Sequence, residues 1–269
     1  MDQVKNIIAV ASGKGGVGKS TTSVNLALAL LKTGARVGLL DADIYGPSQP
    51  TMLGIEDGAR PDQVGQHFIA PIIAHGLQTM SIGYLVTEET AMAWRGPMAA
   101  GALQQLLSQT RWDNLDYLVV DLPPGTGDIQ LTLSQKVPVT GAVVVTTPQD
   151  VALIDARKAI EMFTKVEIPV LGVVENMAVH ICSQCGHQEH IFGTEGGERM
   201  AEQYGVPLLG SLPLDLSIRE NSDDGVPSVV SQPESEIAAT YFEIANAVIA
   251  AVEGLGQTPV MPTITISDN

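Results

Sequence analysis

Basic residues are scarce in this chain: Lys and Arg total 14 against 30 Asp and Glu in 269 residues, a formal net charge of −16. A nucleic-acid surface needs clustered cations to displace counterions from phosphates, so no nucleic-acid partner is expected. A membrane-surface helix needs a basic polar face, and the stretch 241–252 carries Glu243 but no Lys or Arg. The acidity reads as solubility. Cysteine is scarcer still. Two cysteines cannot build a disulfide framework, and a chain of this length buries about 70–75% of its unfolded surface without staples. Met1-Asp2-Gln3-Val4-Lys5-Asn6 lacks a signal-peptide pattern, and no apolar run reads as long enough to span a bilayer. Internal repeats and a linker rich enough to split the chain are also missing. The expectation is one cytoplasmic domain over 1–253 without a membrane partner, followed by a mobile tail, 254–269.

What is present begins with Gly13-Lys14-Gly15-Gly16-Val17-Gly18-Lys19-Ser20-Thr21, which satisfies GxxxxGK[ST]. It follows an apolar run, Ile7 to Ala11, and precedes Ser23 to Leu31, where apolar residues recur at helical spacing. Strand, glycine loop and helix together form a P-loop: backbone N–H groups turn toward one anion and the helix adds its positive end. Lys19 is assigned to the β- and γ-phosphates and Ser20 to magnesium. Lys14, at the mouth of the loop, is placed to reach the nucleotide of a second subunit, which predicts a homodimer.

Strands are expected at 5–11, 36–41, 117–121, 141–146, 168–175 and 207–211, and helices at 19–32, 98–109, 150–164, 195–204 and 234–253. The alternation predicts an α/β fold, a mostly parallel sheet with helices on both faces, with a short hairpin at the sheet edge over 67–81. Ligand groups in such sheets lie beyond the carboxyl ends of strands. There the sequence places Asp41 and Asp43, assigned to magnesium's water shell and to the attacking water; a helix cap or turn is the plainer role for either. Tyr117 to Asp121 ends in a Walker B acid for magnesium. Gly125, in the following Leu122-Pro123-Pro124-Gly125-Thr126-Gly127-Asp128, permits backbone approach to a γ-phosphate, so Asp43, Asp121 and Gly125 form a candidate switch. Asn176 offers an amide to an adenine edge. Pro213 and Asp215 would wall the base pocket, with a structural turn as an equal alternative.

Cys182-Ser183-Gln184-Cys185 contains the only cysteines, in an insertion at about 177–192. Two thiolates at this spacing grip one metal or one cluster edge but leave a four-thiolate site half complete. A two-fold dimer would supply the rest. The readings are a bridging 4Fe–4S cluster, a zinc knuckle completed by His187 and His190, and a redox dithiol. For His180, His187 and His190 individually, solvated loop positions are the plainer role.

GKGGVGKST, LLDADIYGPS, RGPM at Arg95 to Met98, VVDLPPGTGD, ENM and CSQCG occur in this order. Together they resemble the Mrp/ApbC family of P-loop iron–sulfur carriers, within the MinD-like deviant Walker A ATPases. The resemblance runs to about Val252 and implies a homodimer with two ATP at its interface. It implies hydrolysis that supports loading or transfer of a labile 4Fe–4S cluster to apoproteins. On that pattern Lys14 contacts the partner's nucleotide, and Cys182 and Cys185 hold half the cluster. Many bacterial members carry an additional small N-terminal domain, which this chain is expected to lack. Rival functions fit less well. A partition ATPase would want a basic patch. A targeting ATPase would want a methionine-rich groove, and the nine Met are scattered. A nitrogenase-type reductase would use widely separated cysteines. An ATPase with structural zinc at the cysteine pair is the main alternative.

Overall fold

Continuous aliphatic runs, rather than alternating ones, mark strands covered on both faces, and Ala142, Val143, Val144 and Val145 are all fully buried. The computed structural model describes residues 3–85, 96–127, 130 and 137–256; Arg95, Asp128 and 257–269 lie outside the described residues. In chain order the elements are β1 (Val4–Ala11), α1 (Lys19–Lys32), β2 (Val37–Asp41), α2 (Gln49–Met52), β3 (Gln63–Val64), β4 (Phe68–Ile69), β5 (Ile72–Ala74), β6 (Leu77–Ser81) and a 3-10 turn (Ile82–Tyr84). There follow α3 (Gly96–Gln109), β7 (Leu115–Asp121), β8 (Gly141–Thr146), α4 (Asp150–Lys165), β9 (Val170–Glu175), β10 (His180–Ile181), β11 (Gln188–Glu189) and α5 (Gly196–Tyr204). The described chain closes with β12 (Leu208–Ser211), α6 (Leu216–Asp223), α7 (Ser228–Ser231) and α8 (Glu236–Leu255).

One eight-stranded sheet runs in the order β12-β9-β8-β1-β7-β2-β6-β5. Its pairings are parallel except β5 with β6, the hairpin expected at the edge. Along β1 the side chains alternate: Ile7, Ala9 and Ala11 enter one core, Ile8 and Val10 the other. The first core takes Leu103 and Leu106 of α3, Ile160 and Phe163 of α4 and Met200 of α5. The second takes Leu26, Leu28 and Leu30 of α1 with Tyr241, Ile244 and Val248 of α8. This is the α/β arrangement with helices on both faces.

Short elements escape the sequence pattern. The helices α2, α6 and α7 and the separate β3–β4 ribbon carry too few apolar residues to show a period. The helix α8 also corrects an expectation: an 18-residue window reaches a mean hydropathy of 1.3, so by length and composition it could cross a bilayer. In the fold it lies along α1 and β12, with Ala238, Tyr241, Ile244, Ala245 and Val248 buried, which is the setting of a core helix.

Ile244 is fully buried and packs where Gly210 of β12 leaves no room for a side chain. Ile244→Ala is expected to cost about 2–5 kcal/mol of unfolding free energy, measured by urea denaturation; a loss below about 1 kcal/mol would show that α8 contributes little to the second core.

Candidate functional site

The P-loop leaves the carboxyl end of β1, the middle of the parallel sheet, and enters α1. Gly18 sits at the helix N-cap with φ 82°, no side chain caps the first turn, and that turn holds no acid. Its first N–H groups therefore remain open for an anion. Gly18 is required for a second reason: a Cβ there would stand 2.0 Å from Asn176 Nδ2. Asn176, buried at the end of β9, donates that amide to Val17 O at 2.9 Å. It thus buttresses the loop, whatever its second N–H and its carbonyl do. Val17 is buried, whereas Lys14, Gly15, Gly16, Gly18, Lys19, Ser20 and Thr21 line a cavity of about 180 Å³ with Asp43, Ser48 and Pro124. Gly13 is not part of that lining; it packs against the backbone of Asp155 in α4.

Beneath the cavity, parallel register brings Asp41 of β2 beside Asp121 of β7. Lys19 Nζ lies 2.5 Å from Asp121 Oδ1, with both side chains buried. Ser23 Oγ donates to the same oxygen at 2.9 Å, and Gln49 Nε2 donates to Oδ2 at 2.8 Å. Asp41 accepts from the backbone of Asp43 and Gln49, each at 3.1 Å, and from Ser81 Oγ at 3.2 Å. Burial, reinforced by the Asp121 carboxylate, pushes Asp41 up to about 7. Burial also raises Asp43, against the opposing pull of Lys19. No sequence motif marks Ser23, Ser48, Gln49 or Ser81 as site residues. Ser23 was legible, lying one helical turn beyond Lys19 on the same face; Gln49 carried only its place after the Gly46-Pro47-Ser48 turn.

The donor set suits magnesium, a hard cation that takes few carboxylates and relies on water and phosphate oxygens. Ser20 Oγ lines the cavity, Asp41 and Asp121 stand below it, and the buried Ser48 Oγ and Gln49 Oε1 have no hydrogen-bond partner. Gly125, at φ 96°, donates its N–H to Ser12 O at 3.0 Å, so the candidate switch is tied to the P-loop here. Pro213 is half-buried, and Asp215 caps α6 by accepting from Ser217 N and Oγ at 2.8 and 2.6 Å, which is the turn role left open above.

The cysteine pair lies at the tip of the antiparallel β10–β11 ribbon, which begins just beyond Asn176. Cys182 N donates to His187 O at 2.9 Å and Gly186 N returns to Cys182 O at 2.8 Å, folding the loop into a knuckle. Both cysteines are free; Cys182 is half-buried and Cys185 exposed. The backbone N–H groups of Gln184 and Cys185, with the Cys185 thiol, pull the Cys182 thiol below its ordinary value. His190 Nδ1 donates to Ala178 O at 2.9 Å and His180 Nδ1 lies 3.2 Å from Leu214 O, so both rings tie down the ribbon's root. Among the described residues no three His, Cys, Asp or Glu side chains converge on a metal position. A zinc knuckle closed by His187 and His190 is therefore not assembled in this conformation.

A carboxyl held protonated in the fold favours folding below its unfolded pKa, and that contribution is lost as pH rises through about 7 for Asp41. In the absence of nucleotide and metal, the urea midpoint is expected to fall between about pH 4 and about pH 7, and Asp41→Asn to flatten the fall. An equal slope in the variant would assign it to other groups.

The model of the ParA family described as NUBPL iron-transfer P-loop NTPase matches residues 3–249. The iron-sulfur cluster carrier protein of Escherichia coli K12 is 65% identical over 254 residues, covering 94% of this chain and 69% of that protein. The iron-sulfur cluster transfer protein NUBPL of Mus musculus is 51% identical over 251 residues, covering 93% of this chain and 78% of that protein. Among solved structures, a nucleotide-binding protein of Archaeoglobus fulgidus in complex with ADP superposes with a TM-score of 0.76 at 38% identity, covering 88% of this chain and 92% of that one. The cell-division ATPase MinD of Pyrococcus furiosus gives a TM-score of 0.70 at 25% identity, covering 91% and 98%. A P-loop on a parallel sheet, a cysteine-pair ribbon rooted beside it and a family match over nearly the whole chain lead to one assignment: this chain belongs to the NUBPL iron-transfer P-loop NTPases of the ParA group.

Proposed function

We propose that the chain is a slow ATPase that carries a 4Fe–4S cluster and delivers it to apo iron–sulfur proteins in the cytoplasm. The observation that carries the reading is the cysteine knuckle: two free thiols, with no third metal-binding side chain converging on them among the described residues. Two such knuckles meeting across a two-fold axis offer the four thiolates that a 4Fe–4S cargo requires. The names of the carrier relatives support the same reading.

In the nucleotide half, backbone N–H groups from Gly13 to Thr21 and the α1 N-terminus hold the phosphates, and Lys19 neutralises the β- and γ-oxygens. Ser20 and Asp121, with Asp41 acting through the water shell, would hold magnesium, which would supply charge neutralisation on the phosphates. Lys14 reaches the partner's nucleotide, so hydrolysis requires the dimer. Asp43 lines the cavity and orients the attacking water. Asn176 borders the adenine, with Pro213 and Asp215 at the pocket's outer edge. Loss of the γ-phosphate frees the Asp43, Asp121 and Gly125 segments to rearrange. Asn176 joins the P-loop to the strand that leads into the cysteine ribbon, which gives this rearrangement a short path to the cargo.

Anaerobic reconstitution with iron and sulfide is expected to yield about four irons and four sulfides per dimer, released to an apo-acceptor. Tight zinc at about one ion per chain would instead make the pair a structural site in an ATPase. Replacing Cys182 and Cys185 by Ala should abolish cluster uptake; uptake that persists would refute the thiol assignment. Lys14→Ala should lower hydrolysis at least about tenfold while nucleotide still binds through Lys19, and normal turnover would refute the role in trans.

A further inference from the structure

Beside Lys19 and Ser23, Gln49 is a third buried link between the P-loop helix and the strand-end acids, and it touches both acids; neither the motif nor the family assignment gives its side chain a role. It is 1% exposed and opens α2, directly after the turn that follows Asp43. Its backbone N–H donates to Asp41 Oδ2 at 3.1 Å, and its Nε2 donates to Ser20 O at 3.0 Å and to Asp121 Oδ2 at 2.8 Å. The amide orientation is fixed, because the opposite flip would set Oε1 against two acceptors. Oε1 therefore points elsewhere, buried and without a partner. An unpaired buried carbonyl oxygen is destabilising, and a donor that arrives there offsets that cost.

The neighbouring ion pair indicates when such a donor arrives. Lys19 Nζ sits on Asp121 Oδ1, and an ammonium that moves to phosphate oxygens leaves Asp41 and Asp121 side by side with less compensating charge. A hydrated divalent cation restores that charge and brings water O–H donors. We infer that Gln49 is a positioning residue for magnesium: Nε2 holds Asp121 Oδ2 in place when Lys19 departs, and Oε1 accepts a hydrogen bond from the ion's water shell. The inference rests on the nucleotide-binding reading above. It makes Gln49 specific for the metal-dependent part of nucleotide affinity, since its hydrogen bonds go to the two acids and to the Ser20 carbonyl.

The test is ADP affinity by calorimetry in magnesium and in EDTA. For the unaltered chain, magnesium should tighten ADP by about tenfold or more; equal affinities overturn the proposal without any variant. Gln49→Met keeps length and shape but removes both polar ends. It should lose most of the gain from magnesium while affinity in EDTA changes by less than about threefold. Gln49→Leu serves if the Met variant does not fold, and Mn²⁺ binding with ADP, followed by electron paramagnetic resonance, should weaken in parallel. Equal loss with and without the metal would make Gln49 a packing residue and overturn the proposal, as would an undiminished magnesium effect. If the unaltered chain binds no ADP under either condition, the nucleotide-site reading itself fails, an outcome distinct from these.

Discussion

The buried contact between Lys19 and Asp121 is the constraint on which the rest of the site depends. A lysine with its side chain 6% exposed meets a fully buried aspartate; removing either partner would leave the other's polar group unpaired in a weakly polarisable interior. Ser23 and Gln49 complete the arrangement by donating to the same carboxylate. The contact clips the start of α1 to the end of β7, and Gln49 extends it to Asp41 at the end of β2. The P-loop, the Walker B strand and the segment following Asp43 are therefore one mechanical unit. On the proposed nucleotide-binding role, a polyphosphate with its cation would exchange the partners of this unit rather than fill an inert hole.

The route outward runs through the end of β9. Glu175 accepts from Gly197 N at 2.6 Å, which fixes the start of α5. Asn176 fastens the P-loop at Val17. Met177 then takes a left-handed backbone conformation at φ 57°, uncommon for a side chain of that size. Beyond it, Ala178 and Val179 bond to Leu212 and Leu214, and the His180 and His190 rings close the root of the cysteine ribbon. Three consecutive residues thus connect a helix start, the phosphate loop and the thiol knuckle. The sheet supplies a rigid base for the connection, because β9 is paired on both sides.

The fold was legible in the sequence wherever burial is two-sided and long. Val37 to Asp41 and Gly141 to Thr146 stand out as continuous buried runs, and the core face of Asp150 to Lys165 shows its helical period, without reference to partners. The phosphate loop was legible because its glycines and lysine act through local backbone geometry. Short pieces were not. The helix α6 reads as polar chain, and its start became visible only when Asp215 was seen to cap it. In α8, Glu236 to Leu255 carries apolar residues on buried and exposed sides alike, and only its contact with α1 and β12 separates the two sets.

The fold class, the anion-binding loop and the single two-thiol motif follow from the chain alone, because each depends on residues close together in it. Tertiary structure decided what those residues meet. Parallel register put Asp41 beside Asp121, and the chain's return after Asp43 delivered Gln49 to both. A strand end distant in sequence set Asn176 against Gly18 and Val17. Compensation of buried charge and satisfaction of buried polar groups are properties of neighbours in space, so they could be read only after the strands had been laid side by side.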